Sequence, residues 1–139
     1  FAASNSGALT DVTGDGTTYV IIFGTESYDQ GSNYDNTTGI FTAPVTGKYL
    51  FTCSVSFSDI AAGHVSAIVQ IVNSGGTAEI LRVNPSLIAV SGTYSVSGST
   101  EVLLTATQTA SIQITVSGST KTIDIPAAVA SKFSGILLC

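Results

Sequence analysis

The side chains that could do chemistry are few and scattered. There is one histidine, His64, in the stretch AAGHV, and there are two cysteines, Cys53 and Cys139. Nine carboxylates stand against four cations, Lys48, Arg82, Lys121 and Lys132. A serine relay needs a nucleophile, a histidine and an orienting carboxylate. No G-x-S-x-G elbow marks such a serine. No H-E-x-x-H pair, phosphate-cradling loop or G-x-G-x-x-G turn after a strand is present. One histidine and two isolated cysteines are too few ligands for a structural zinc. His64 therefore reads as a solvated loop residue.

The acids offer two further chemistries. Asp11 and Asp15, in DVTGDGTT, carry the hard oxygen ligands that calcium prefers, but not the D-x-D-x-D-G spacing. They read as turn formers, and so do Asp29 and Asp35 around DQGSNYD. Two carboxylates flanking a sugar would make a glycoside hydrolase. None of the nine acids stands in an apolar setting, and Asp35 and Asp59 read as turn or strand-end residues. The expectation is a protein that binds and does not catalyse. Tyr28, Tyr34 and Tyr94 lie in loop-like stretches rich in Asn and Ser, a setting suited to carbohydrate or protein recognition. Tyr94, in SGTYSVSGS, and Tyr28 are the candidate ligand contacts.

What must position these residues is a β scaffold. In KYLFTCSVSF (48–57), Tyr49, Phe51, Cys53, Val55 and Phe57 alternate with a face that is polar apart from Leu50. In ASIQITV (110–116), Ala110, Ile112, Ile114 and Val116 alternate with Ser111, Gln113 and Thr115. YVIIF (19–23), VSAIVQIV (65–72), EVLLTAT (101–107) and FSGILL (133–138) read as further strands. Between them come TGDGT (13–17), DQGSN (29–33), NSGGT (73–77), VSGT (90–93) and VSGST, the last at 96–100 and again at 116–120. These read as hairpin and loop breakers. No helical period is evident. Short strands at this spacing, about ten of them, predict a β-sandwich or jelly roll in one domain spanning 1–139.

Composition narrows the partners. Hydrophobic residues make up 44% of the 139, and charged residues only 9%, against about 25% in an ordinary domain. Ser, Thr, Asn, Gln and Gly must carry solubility, giving a neutral surface that is easily buried against another copy. A net charge of −5 with four scattered cations excludes nucleic acid, which needs a clustered basic face. Anionic membrane surfaces are disfavoured for the same reason. No run approaches the roughly 18 apolar residues of a membrane span, and no signal peptide is visible. The chain does not begin with Met, so a processed product or excised domain is expected.

The stretch YDNTTGIFTAPVTGKYLF (34–51) supplies turn, short strand, turn and long inner strand. It is similar to the signature of C1q/TNF-like globular heads: Tyr-Asp, then Thr-Gly-x-Phe-Thr-x-Pro, then Gly-x-Tyr-x-Phe. FAAS (1–4) resembles that family's first strand, YVIIF its second, EVLLTATQTASIQITV (101–116) its penultimate hairpin and FSGILL its closing strand. TQTA at 107–110 departs from the family's usual Gly-Asp, and the charge is unusually low. TGDGTTY and APVTGKY are closer in phrasing to bacterial or bacteriophage versions.

The resemblance implies a ten-strand jelly roll that forms a homotrimer, with the sheet of the first and last strands on the three-fold axis. It assigns Phe1, Tyr34, Phe41, Tyr49, Phe51, Phe133 and Gly135 to the core and trimer signature. It implies a non-enzymatic head, the receptor- or glycan-binding tip or trimerisation module of an extracellular or phage fibre, at a virion or cell exterior. The alternative is a self-assembling decoration, filament or capsid subunit. Calcium near the axis is admitted without nominated ligands; no other cofactor is expected. The strand of Cys53 would neighbour the last strand, so a 53–139 disulfide stays open if the Cα atoms come within about 7 Å. Two free thiols are the preferred reading.

Overall fold

The computed structural model describes residues 1–87, 92–127 and 131–139. Every strand pairing among them is antiparallel. One sheet has five strands in the order β10 (Tyr94–Leu104), β7 (Gly47–Phe57), β13 (Lys132–Leu137), β1 (Ala2–Ser4), β4 (Thr25–Tyr28). The facing sheet runs β5 (Tyr34–Asp35), β6 (Ile40–Thr42), β11 (Thr109–Ser117), β8 (Ser66–Asn73), β9 (Gly76–Val83), with β3 (Thr18–Val20) also on β11. A small ladder joins β2 (Leu9–Thr13) to β12 (Ile123–Ile125). First and last strands are neighbours at the middle of one layer, and the architecture is a jelly-roll sandwich.

Alternation builds the core. Along β7, Tyr49, Phe51, Cys53, Val55 and Phe57 are buried, while Lys48 and Thr52 are exposed. On β11, Ala110, Ile112, Ile114 and Val116 point into the same interior. Aromatic rings fill one end of it. Phe1 stacks on Tyr34 with centroids 4.8 Å apart and meets Phe133 edge-on at 5.0 Å. Phe41 lies 5.5 Å from Tyr49 and 5.4 Å from Phe51. Such tilted and stacked pairs add about 1 kcal/mol each beyond the area they bury. Gly135 belongs to this cluster because the rings leave no room beside it. A Cβ there would lie 2.6 Å from Phe1 and 2.7 Å from Phe51.

Several expectations are revised. Among the described residues there are thirteen strands where about ten were expected, the additional ones being two- or three-residue segments such as β3, β5 and β12. VSGST at 96–100 is not a turn but the middle of β10, with Gly98 opposite Cys53 and against Ile80 of β9. Its twin at 116–120 does turn, at Gly118 with φ 104°. VSGT at 90–93 lies partly outside the described residues. The segment 101–116 is not a hairpin in one sheet. After Leu104 the chain crosses to the other layer. Thr107 takes φ 75° there, rare for a β-branched residue. It is held by its N–H donating to Ala43 C=O and by Ala43 N–H donating to Gln108 C=O, both at 2.8 Å.

Candidate functional site

The sandwich has a closed end and an open end. At the closed end, the loops after β2, before β8 and after β11 meet on His64. That residue is fully buried, which corrects the solvated reading. Its Nδ1 accepts the Ala61 N–H at 2.9 Å, and Nε2 lies 3.3 Å from the Thr120 C=O. The backbone ties the same loops together: Val65 N–H donates to Ser117 C=O and Ser119 N–H to Gly14 C=O. Gly14 sits at φ 138°, and a Cβ there would run into the Thr120 carbonyl and approach Nε2 to 3.0 Å. Every polar atom of the imidazole has a backbone partner, so it is a clamp between loops. Sequence reasoning missed this because its partners are carbonyls and amides, which no side-chain pattern announces.

The acids resolve into local turns. Asp15 accepts the Thr17 N–H at 3.0 Å, and its pKa is lowered first by the Thr17 hydrogen bonds. Asp35 accepts from the Thr37 N–H and hydroxyl, which hold its pKa down, with Thr38 adding to them. Asp59, at φ 65°, accepts the Ser58 hydroxyl. Asp11 uses its backbone N–H, which donates to Asp124 Oδ1 at 2.8 Å. Among the described residues, no three His, Cys, Asp or Glu side chains gather as a metal site. Cys53 is buried and Cys139 exposed, and both are free. Cys53 pairs in register with Phe133, six residues before Cys139. That is about 20 Å along a strand, far beyond disulfide reach. Burial pushes the Cys53 thiol up to about 11.

At the open end lies a groove of about 460 Å³. Its floor is the rim of the aromatic cluster, and its walls are Tyr28, Asp29, Gln30, Asn33, Pro44 and Ile136. Tyr28 ends β4 and is 54% exposed. Asp29 Oδ2 accepts the Tyr34 N–H at 2.8 Å, and Asn33 Nδ2 donates to Gln30 C=O at 3.2 Å. These bonds fix the 28–34 turn. Tyr34 lies beneath it, its hydroxyl accepting the Phe23 N–H at 3.2 Å. Burial pushes its pKa up to about 12, the Phe23 bond acting the other way. Tyr94 does not join this end. It opens β10, half-buried, and stacks on Phe57 at 5.8 Å. It is neither a loop residue nor a fully exposed contact.

The outer face of the five-stranded sheet is the second surface of note. Its register sets Leu103 beside Lys48, then Glu101, Leu50 and Ile136 in a row. The next row is Ser99, Thr52 and Ser134, continuing through Ala2 to Tyr28, and the one after is Ser97, Ser54, Lys132 and Ser4. Leu103 is 64% exposed and Ile136 49%. One half of the face therefore mixes Leu50, Leu103 and Ile136 with Lys48 and Glu101, and the other is mostly hydroxylic.

The comparisons agree with this architecture. The family model for the C1q domain matches residues 2–138. The chain belongs to the C1q family. No curated protein matches it. Among solved structures, the globular domain of zebrafish complement 1qA protein is similar at 18% identity and TM-score 0.67, covering all of this chain and 96% of that one. The Eiger TNF of S. frugiperda is similar at 16% and 0.63, covering 100% of this chain and 92% of that one. Murine APRIL is similar at 14% and 0.59, covering 98% and 96%. C1q/TNF-like domains are non-enzymatic ligand-binding modules, typically trimeric and typically secreted or extracellular. Among the described residues no helix is long and apolar enough to cross a membrane.

Proposed function

We propose that this chain is a homotrimeric, non-enzymatic head: the receptor- or glycan-binding tip, or the trimerisation module, of an extracellular or phage fibre. The observation that carries the reading is the outer face of the five-stranded sheet. Leu103 and Ile136 are exposed on this antiparallel surface with Leu50 between their strands; Lys48 and Glu101 are the charged residues among them, and a field of serine and threonine adjoins. Exposed contiguous apolar surface on a folded domain marks a contact, and low charge makes its burial cheap in desolvation. Three copies packing this face around an axis would cover it and leave the ends of the sandwich for ligands. Light scattering on the purified chain tests this. A mass three times that of the monomer is expected, and a monomer at micromolar concentration overturns it. In the trimer, Leu103→Lys lowers the assembled fraction by placing a charge in the patch.

A second reading, a self-assembling structural subunit, draws on β10. This eleven-residue strand sits at the edge of its sheet with one charged residue, Glu101, and no proline. Such an edge can template further pairing. Ordered filaments or lattices of the purified protein in electron micrographs would favour this reading.

A further inference from the structure

We propose that the closed end is an acid-sensitive latch, in which a second proton on His64 releases the three loops that meet on it. The ring's hydrogen bonds define its state. Nδ1 accepts the Ala61 N–H at 2.9 Å, so it carries no proton of its own. Nε2 faces the Thr120 C=O at 3.3 Å, and a carbonyl only accepts, so the one ring proton sits there. Both nitrogens of the neutral ring are thus in use. A further proton has to go on Nδ1, where it meets the Ala61 N–H donor to donor. The same turn is closed by the His64 N–H donating to the Ala61 C=O at 3.0 Å, so ring and turn give way together.

Nothing at this end receives the added charge. His64 has no exposed surface, and among the described residues no carboxylate forms an ion pair with it. The charged groups on the surrounding segments are engaged elsewhere or face solvent. Asp15, in the 13–17 loop, takes the Thr17 N–H, Asp59 the Ser58 hydroxyl and Asp124 the Asp11 N–H. Asp11, Asp15, Asp59 and Lys121, which follows Thr120, are exposed and screened. A buried cation without a partner is costly. Opened loops instead offer an ordinary imidazole, which takes its proton around pH 6.5. The open state therefore binds more protons than the closed one, and stability of the closed end falls as pH drops. Release of 58–65 uncovers Ile60, which is buried in the closed state.

Hydrogen exchange on the full chain, corrected for the intrinsic rate at each pH, tests the latch together with an NMR titration of the chain's single histidine. Between pH 7.5 and 5.5, protection of 13–17, 58–65 and 117–120 should fall about tenfold while β7 and β11 hold theirs. Staying above about pH 5.5 keeps the carboxylates ionised. The imidazolium signal should grow only as the loops open. His64→Gln has no group that titrates there, and its loops should be equally protected at both pH values. Loop protection in the unaltered chain that is the same at both pH values overturns the proposal. A ring that gains its proton while the loops stay protected does so too, as does a loss of protection that His64→Gln retains. Where His64→Gln opens the loops at every pH, the ring titration of the unaltered chain decides alone. Light scattering on the same samples separates the latch from assembly: mass lost in acid with the loops still protected places the sensitivity between copies, and the proposal fails.

Discussion

At one end of the sandwich a histidine, a glycine and three loops close on one another; at the other a tyrosine, a glutamine and an acid border open space. His64 has no exposed surface and both ring nitrogens lie against backbone groups. Tyr28 is more than half exposed, and its hydroxyl has no hydrogen-bond partner among the described residues. Both ends carry residues of the type found in sites. Only one of them leaves those residues free to meet a ligand. A polar side chain buried with its partners satisfied is structural, and the same chemistry left unpartnered at a rim can bind.

Substitutions that tell the ends apart are ordered by expected size, each measured by chemical denaturation at one fixed protein concentration. Gly14→Ala should be the most damaging, on the order of 4 kcal/mol, because the added methyl meets the Thr120 carbonyl at a backbone φ of 138°. A loss under about 1 kcal/mol would mean that the closed end is loose. His64→Ala should cost about 3 kcal/mol, through a cavity and two stranded backbone groups. His64→Gln should recover part of that loss by restoring one partner.

Beneath the open end, Tyr34 gives an alkaline signature. Its folded pKa, about 12, lies above the unfolded value of about 10. The unfolded chain thus ionises first. The stability that Tyr34 contributes is fully present below about pH 10 and falls as pH rises toward 12, by at most about 3 kcal/mol. In Tyr34→Phe this part of the alkaline decline should vanish, at the cost of about 1 kcal/mol at neutral pH for the bond from the Phe23 N–H. Cys53 adds to the same decline, its folded value being about 11. Thiol titration with a disulfide reagent should count one reactive cysteine in the native chain, Cys139, and two after denaturation. Smallest of all, Tyr28→Ala should change monomer stability by less than about 0.5 kcal/mol, since the ring is more than half exposed. A large stability loss there would erase the contrast between the ends.

Much of the fold was legible, because alternation is a local property. The inward faces of 48–57 and 110–116 follow directly from the order of residues, since successive side chains on a strand point to opposite faces. The neighbouring of the first and last strands followed from resemblance, and the register of β1 and β7 on β13 agrees with it. VSGST at 96–100 misled, because serine and glycine signal a turn only where nothing packs over them. Here Ile80 of the other sheet lies against Gly98 and the strand runs on. The candidate contacts divided for a similar reason. Tyr94 found Phe57 to stack on, whereas Tyr28 at the edge of its sheet has no aromatic partner among the described residues.

The sequence by itself determined an all-β chain, its inner faces, its scarcity of catalytic groups and its nearly uncharged surface, because each of these is a matter of residue type and period two. Only the tertiary structure decided that His64 is a buried clamp, that Cys139 lies past the end of β13 and far from Cys53 on β7, and that the 28–34 turn rims an open groove. Those outcomes depend on which backbone carbonyls, amides and rings from distant segments arrive beside each side chain. That is fixed by strand order and register across the two layers, and no local spacing encodes it.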